Sequence, residues 1–259
     1  MQTKLALGTI CAVFLFVFQV QAARPSLTIQ TSAGPVKITP IYHASALIQA
    51  GGKNIYIDPA RPVPRPRSGD YSYFTGLPAA DLILVTHAHP DHMDPATIDK
   101  LSKPGTEIIA PSAVAKTVST AKVISNGQTT IWDGWTIHAV PMYNLKRGPV
   151  PGKLYHPKGV GNGYVLTYGG KRIYFSGDTE NTPEMRALKN IDVAFVCMNL
   201  PFTMTTSEAA AAVKAFHPKI VVPYHYRSRY GASNLNDFNN DLKGTGIKVH
   251  IFDWYPKQP

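Results

Sequence analysis

Eight consecutive residues, His87-Ala88-His89-Pro90-Asp91-His92-Met93-Asp94, contain three histidines and two aspartates. Imidazole and carboxylate without thiolate form a donor set for a divalent metal ion: zinc first, then iron or manganese. His87 and His89 are two apart, so an extended backbone turns both to one side. Asp91 and His92 follow the turn at Pro90 and can address a second point nearby. The spacing therefore suits two ions better than one. The plain alternative is a solvated loop that happens to be rich in histidine, but ligand types cluster this tightly mainly where they bind something.

These side chains need rigid positioning, and the flanking sequence supplies it. Leu82-Ile83-Leu84-Val85 is apolar and β-branched, introduced by Pro78 and Asp81, and reads as a buried strand ending at the cluster. Two further apolar strands end in candidate ligands: Ile173-Tyr174-Phe175 runs into Ser176-Gly177-Asp178-Thr179, and Ile220-Val221-Val222-Pro223-Tyr224 runs into His225. Strands are also expected over 27–31, 36–42, 46–49 and 54–57. Helices are expected over 95–103, 112–119, 182–189 and 207–216, the last with a start signal in Thr206-Ser207-Glu208 and an alanine-rich body. Gly51-Gly52 and Gly169-Gly170 each separate two strand patterns, as hairpin turns do. The segments around them echo one another: Ala50-Gly51-Gly52-Lys53-Asn54-Ile55-Tyr56-Ile57 against Tyr168-Gly169-Gly170-Lys171-Arg172-Ile173-Tyr174-Phe175. Further on, Asp81 to Val85 parallels Asp192 to Val196. This predicts an α/β protein of two related halves, packed sheet to sheet with helices outside, and a site at their junction.

The N-terminus reads as a targeting segment. Lys4 is the single charge before Arg24, an apolar run spans Leu5 to Val20, and small residues follow at Ala22-Ala23. A secretory signal peptide over 1–22 and a single domain over 23–259 are expected, with an exported product, periplasmic or extracellular. An uncleaved anchor is the alternative, but the run is short for a membrane span, and no other transmembrane segment is evident. After processing Cys197 is the remaining cysteine; it lies in an apolar strand pattern and reads as a buried inert thiol. The formal charge of +10 loses one unit with Lys4. It favours small anionic partners through its field, but the cations are scattered, and no specific nucleic-acid binding is expected. No Ser-His-Asp arrangement, P-loop or dinucleotide-binding glycine signature competes with the metal scheme.

The run His87-Ala88-His89-Pro90-Asp91-His92, with Gly177-Asp178-Thr179, Pro223-Tyr224-His225-Tyr226 and Ile57-Asp58-Pro59, resembles the metallo-β-lactamase superfamily over nearly all of the mature chain. Thr203-Met204-Thr205 before an alanine-rich helix is most similar to the branch with ascorbate-phosphate lactonase and the N-acylphosphatidylethanolamine phospholipase. The resemblance implies a four-layer αββα sandwich. It implies that His87 and His89 hold a first ion, that Asp91, His92 and His225 hold a second, and that Asp178 bridges them. The cofactor implied is Zn2+, two per chain, with iron or manganese as alternatives. The family usually supplies one more histidine soon after a strand ending in proline. Here that place reads Pro141-Met142-Tyr143-Asn144. His156, on the next loop, is the better zinc donor and is favoured over Asn144. His43 matches a position where this branch carries histidine; it is either an outer partner, a ligand, or a buried satisfied histidine. His138 reads as structural, His217 and His250 as surface or packing residues.

The chemistry expected is hydrolysis of a small ester, lactone or phosphodiester by a metal-bound hydroxide, with Asp91 orienting the water or shuttling its proton. Substrate choice falls to the loops. In the loop over 60–74, Arg61 and Arg65 could clamp a phosphate or carboxylate, with Tyr71, Tyr73 and Phe74 packing an apolar group. Tyr143, Lys146, Arg147 and Lys158 could add charge from a second loop, and Tyr226, Arg227 and Arg229 could line the same mouth. Two other classes compete: a non-catalytic protein that retains the fold and binds metal, motivated by Asn144, and a module that binds anionic ligands or lipid.

Overall fold

The runs Leu82–Leu84, Val193–Cys197 and Ile220–Tyr224 are apolar throughout, as strands covered on both faces must be. The computed structural model describes residues 24–61 and 71–255. The expected signal peptide and most of the Pro- and Arg-rich loop, Arg65 included, lie outside the described residues.

The first sheet runs in chain order: β1 (Leu27–Thr31), β2 (Gly34–Tyr42), β3 (Ser45–Ala50), β4 (Lys53–Ile57), β5 (Leu82–Leu84), β6 (Glu107–Ala110) and β7 (Lys122–Val123). β1 to β4 pair antiparallel; β5, β6 and β7 are then added in parallel. The second sheet repeats this plan. β8 (Thr129–Trp132), β9 (Trp135–Met142), β10 (Gly161–Tyr168) and β11 (Lys171–Phe175) form an antiparallel meander. β12 (Val193–Cys197) and β13 (Ile220–Tyr224) are added in parallel. A small hairpin of β14 (Arg227–Ser228) and β15 (Gly231–Ala232) follows, and β16 (Lys248–Val249) pairs parallel with β13. The echo in the sequence is therefore an echo in topology. The paired glycines at 51–52 and 169–170 turn the equivalent hairpins with φ of 56° and 75°, and of 48° and 77°. Two consecutive positive φ values are what a tight hairpin turn matched to the strand twist requires.

Side chains alternate between two cores. Ile55 and Ile57 of β4 and Leu82 and Leu84 of β5 point into the core between the sheets, where they meet Trp135, Ile137, Tyr164, Ile173 and Phe175. Tyr56, Ile83 and Val85 face the other way, against α1 (Pro95–Leu101) and α2 (Ser112–Ala115). α3 (Pro183–Arg186) and α4 (Thr206–Phe216) cover the second sheet, α4 burying Ala209, Ala210, Ala212, Val213 and Phe216. The four layers are thus α, β, β, α. α4 begins one residue earlier than its sequence suggests, because Thr205 is its cap: the Thr205 hydroxyl accepts from the Glu208 N–H, and the Glu208 carboxylate accepts from the Thr205 N–H. α5 (Leu235–Asp241) was not expected; its sequence LNDFNND has no apolar period, and Phe238 is its one buried residue. Cys197 is buried, and burial pushes its thiol up to about 12, which keeps it inert. Among the described residues no helix is long and apolar enough to cross a membrane.

Candidate metal centre

The ends of β4, β5, β11 and β13 and the loop after β9 converge at one edge of the sandwich. Asp58, at the end of β4, is fully buried. Its Oδ1 accepts from the Thr86 N–H at 2.7 Å, and its Oδ2 accepts from the Thr86 hydroxyl and from His92 Nδ1, each at 2.7 Å. His92 therefore carries its proton on Nδ1 and turns Nε2 into the site. Thr86 donates its hydroxyl proton to Asp58, so its oxygen is free to accept from His87 Nδ1 at 3.0 Å. His87 Nε2 is left buried and without a hydrogen-bond partner. Asp58 thus sets the tautomer of both imidazoles, a carboxylate role that a lone aspartate after a strand did not advertise in the sequence.

The second sheet and its loops bring the complementary groups. Asp178 and His225 are buried. Asp178 Oδ1 lies 3.4 Å from His92 Nε2 and 3.4 Å from His225 Nε2, while its Oδ2 lies 3.6 Å from His156 Nε2. His225 Nε2 faces His92 Nε2 at 2.9 Å, and His156 Nε2 faces His89 Nδ1 at 3.2 Å. Asn144 sits behind His156. Its Oδ1 accepts from the His156 backbone N–H and from His156 Nδ1, each at 2.8 Å, while its Nδ2 donates to Phe202 O at 2.8 Å and to the buried Glu180 at 3.2 Å. Because a backbone N–H can only donate, the amide orientation is fixed, and so is the tautomer of His156. Asn144 is an outer partner of the site and His156 turns its lone pair inward.

Three groups of possible ligands result, each with its donor atoms within 4.8 Å of one another: His87, His89 and His156; His87, His92 and Asp178; and His43, Asp91 and His225. The site fits metal ions on its own geometry. Asp178 Oδ1, His87 Nε2 and His225 Nδ1 are buried polar atoms without hydrogen-bond partners, an arrangement that is costly unless something else satisfies them. Burial holds the His87 imidazole well below its ordinary range and brings His156 down to about 4, so both are neutral donors. His92 behaves oppositely: burial disfavours its charge, but Asp178, Asp58 and Asp91 outweigh that and hold it well above the ordinary value. The three carboxylates concentrate negative potential where a cation would lie.

His43 borders this cluster. Its Nε2 is 3.3 Å from Asp91 Oδ2, its ring lies 3.8 Å from that of His225, and its Nδ1 is 2.8 Å from the Tyr255 hydroxyl. His43, Asp58 and His225 have φ of 58°, 45° and 46°, the left-handed region that non-glycine residues seldom occupy. Three such residues at one site mark backbone held in place by its surroundings.

A cleft of about 890 Å³ opens above His43, Asp91 and His225, walled by Tyr42, Tyr255, Phe202, Asn199, Arg227, Ser228 and Arg229. Several residues expected at this mouth are elsewhere. Arg61 is buried, its guanidinium held by Asp94 at 2.7 and 3.3 Å, so it ties the β4 end to α1 instead of facing substrate. Phe74 belongs to the core under α1. Arg147 pairs with Glu180 and Glu208, Lys146 with Glu208, and Lys158 with Glu184. Tyr226 packs against the core, and its hydroxyl is occupied by the backbone of Phe252 and Trp254. Tyr255, which no motif announced, takes the place in the cleft that Tyr226 was expected to fill.

The sequence profile of the β-lactamase superfamily domain matches residues 37–225. A UPF0173 metal-dependent hydrolase of Thermococcus kodakarensis is 34% identical over 212 residues, covering 74% of this chain and 85% of its own. Another from Thermus thermophilus is 31% identical over 208 residues, covering 74% and 84%. Among solved structures, one described as a metal-dependent hydrolase from Parabacteroides distasonis superposes with a TM-score of 0.78 at 40% identity, covering 88% of this chain and 98% of that one. The chain belongs to the metallo-β-lactamase superfamily, in the company of metal-dependent hydrolases.

Proposed function

We propose that this protein is an exported dinuclear metallo-hydrolase that acts on a small ester, lactone or phosphodiester carrying negative charge. The observation that supports it best is the pair of orphaned inward-facing atoms, His87 Nε2 and Asp178 Oδ1, beside imidazole pairs that face each other nitrogen to nitrogen. His87, His89 and His156 would hold one ion, and Asp91, His92 and His225 the other, with Asp178 between them. When bound, such ions lower the pKa of water to ~7 and polarise a carbonyl or phosphoryl oxygen.

The chain's own residues do the rest. Thr86, Asp58 and Asn144 fix the tautomers of His87, His92 and His156, so that lone pairs are presented without rearrangement. Asp91 is the acidic side chain of the cleft floor; its Oδ2 is held by His43, and its carboxylate steers the attacking water and carries its proton toward the leaving group. Tyr42, Phe202 and Tyr255 give the cleft apolar walls that limit access of bulk water. The motif resemblance to a lactonase and a phospholipase favours ester, lactone or phosphodiester over β-lactam substrates. The reading of a non-catalytic relative rested on Asn144, and His156 beside His87 and His89 removes its motive. Export is proposed from Lys4 and the apolar run over 5–20.

The test is metal analysis of purified protein together with turnover of neutral and anionic 4-nitrophenyl esters, a lactone and bis(4-nitrophenyl) phosphate. Two ions per chain, and activity that is lost with chelator and regained with metal, are expected. Metal-free protein at saturating zinc, iron and manganese, or no turnover across the panel, would overturn the reading. N-terminal sequencing of the product should begin near Ala23; an intact Met1 on soluble protein would remove export.

A further inference from the structure

Most cations near the site are already paired with carboxylates, and two are not. Arg227 and Arg229 line the cleft that opens on His43, Asp91 and His225, yet neither lies within ion-pair distance of a carboxylate among the described residues. The hairpin that carries them is anchored. Arg227 and Ser228 pair with Ala232 and Gly231. The Ser228 hydroxyl donates to Leu200 O at 2.7 Å, the Ser233 N–H donates to Tyr226 O at 2.8 Å, and the Ser233 hydroxyl donates to Met198 O. The guanidinium groups are also oriented. Arg227 stacks over Tyr255 at 5.5 Å, and Arg229 lies over Tyr230 at 4.8 Å with Nη2 donating to the Tyr230 hydroxyl at 2.6 Å. A guanidinium carries five N–H donors, and these contacts take up only part of them, so each arginine keeps donors for an oxyanion. Among the described residues, the one acidic side chain lining the cleft, Asp91, is taken up by the proposed metal centre and by His43.

We infer that Arg227 and Arg229 form an oxyanion-binding subsite at the cleft mouth, and that the substrate carries a carboxylate or phosphate set apart from the bond that is cleaved. The scissile group lies on the floor over Asp91 and His225, the charged group reaches the hairpin, and the apolar part between them lies along Phe202, Tyr42 and Tyr255. This deepens the hydrolytic reading and rests on it for the word substrate; the anion subsite itself does not. Both charged groups offer two or more oxygens to a planar fork, so the probes must separate them.

Metal-loaded wild type, R227Q/R229Q and R227K/R229K are compared with K189Q, which removes a charge remote from the cleft. Hydrolysis is measured for 4-nitrophenyl acetate, mono-4-nitrophenyl succinate and 4-nitrophenyl phosphonoacetate, whose charged groups stand apart from the ester bond. Binding of succinate and of inorganic phosphate is measured by calorimetry, independently of turnover. The preference in kcat/KM for the anionic over the neutral ester should fall about tenfold in R227Q/R229Q, mainly through KM, as expected of one or two charge-assisted hydrogen bonds. The lysine variant should retain part of it and K189Q all of it. The carboxylate and phosphonate arms tell which oxyanion is preferred. Unchanged preference and unchanged anion binding in a folded R227Q/R229Q overturn the subsite while leaving hydrolysis standing. Arginine-dependent anion binding without turnover of any probe keeps the subsite and overturns the hydrolytic reading.

Discussion

Asn144 Oδ1 accepts two hydrogen bonds from one residue, the backbone N–H and the Nδ1–H of His156, both at 2.8 Å. The position at which the family resemblance implies a histidine thus holds the support of the candidate ligand His156 instead. Asn144→Ala should weaken metal binding by about 10–100-fold, the usual cost of losing an outer-shell partner, and His156→Ala should weaken it more. Competition with a chromophoric chelator measures both. Equal metal affinity in wild type and His156→Ala would exclude His156 from the site.

Tyr255 bears on His43 in a similar way. The Asp91 carboxylate at His43 Nε2 can only accept, so the Tyr255 hydroxyl, whose oxygen accepts from the Arg227 N–H at 3.2 Å, gives its proton to His43 Nδ1. His43 must then carry its own proton on Nε2 and donate it to Asp91, which makes it a positioning residue and not a third-site ligand. Tyr255→Phe and His43→Ala should lower kcat by about tenfold with bound metal unchanged, the scale of one hydrogen bond to a charged group. His43→Gln, which keeps a donor, should recover part of the rate. Loss of an ion in His43→Ala would instead make His43 a ligand.

Asp58 satisfies three donors from a fully buried position. Asp58→Ala orphans the Thr86 N–H and frees both imidazoles to rotate. A loss of about 3–5 kcal/mol is expected from breaking so buried a charged network, together with loss of metal. Urea unfolding and metal content should fall together; a variant with wild-type values of both would show the network to be dispensable.

Acid should weaken the start of α4. Burial raises the Glu208 carboxyl, but the Thr205 N–H, Lys146 and Arg147 outweigh it and bring it from 4.5 to about 2. A carboxyl depressed in the folded state stabilises above its unfolded value and stops doing so as pH falls toward the folded one. Wild type should therefore lose this contribution between pH ~4.5 and ~2, and Glu208→Gln should lack that part of the slope. Chemical denaturation at pH 7 and pH 3 compares the two. Parallel pH profiles would show that Glu208 contributes nothing to stability.

The candidate ligands were legible because they cluster at strand ends, where an apolar run followed by His or Asp is easily read, and the fold brings them to one edge of the sandwich. The supporting residues were harder to read. Asp58 looks like any polar residue leaving a strand, and what distinguishes it is φ of 45° and the two neighbours it meets only in the fold. Arg61 and Arg65 looked alike in sequence; nothing local could tell that Asp94, 33 residues on, would claim Arg61. Tyr255 reaches His43 across 212 residues of chain, a contact set by sheet packing and by no local pattern. Tyr226 lies next to His225 in sequence, yet residues beside each other beyond a strand end can point opposite ways. α5 escaped because amphipathic period, the main signal for a helix, is absent from it.

The two sheets share one strand plan but divide the ligands between them: His87, His89, Asp91 and His92 follow the first, and His156, Asp178 and His225 belong to the second. Ions held by both would rivet one half of the molecule to the other. Grip on the metal and resistance to prying the halves apart then become one quantity, and a free ion at a hundred times its dissociation constant adds about 2.7 kcal/mol to that resistance. The local supply of metal would then set the lifetime of the molecule as well as its rate.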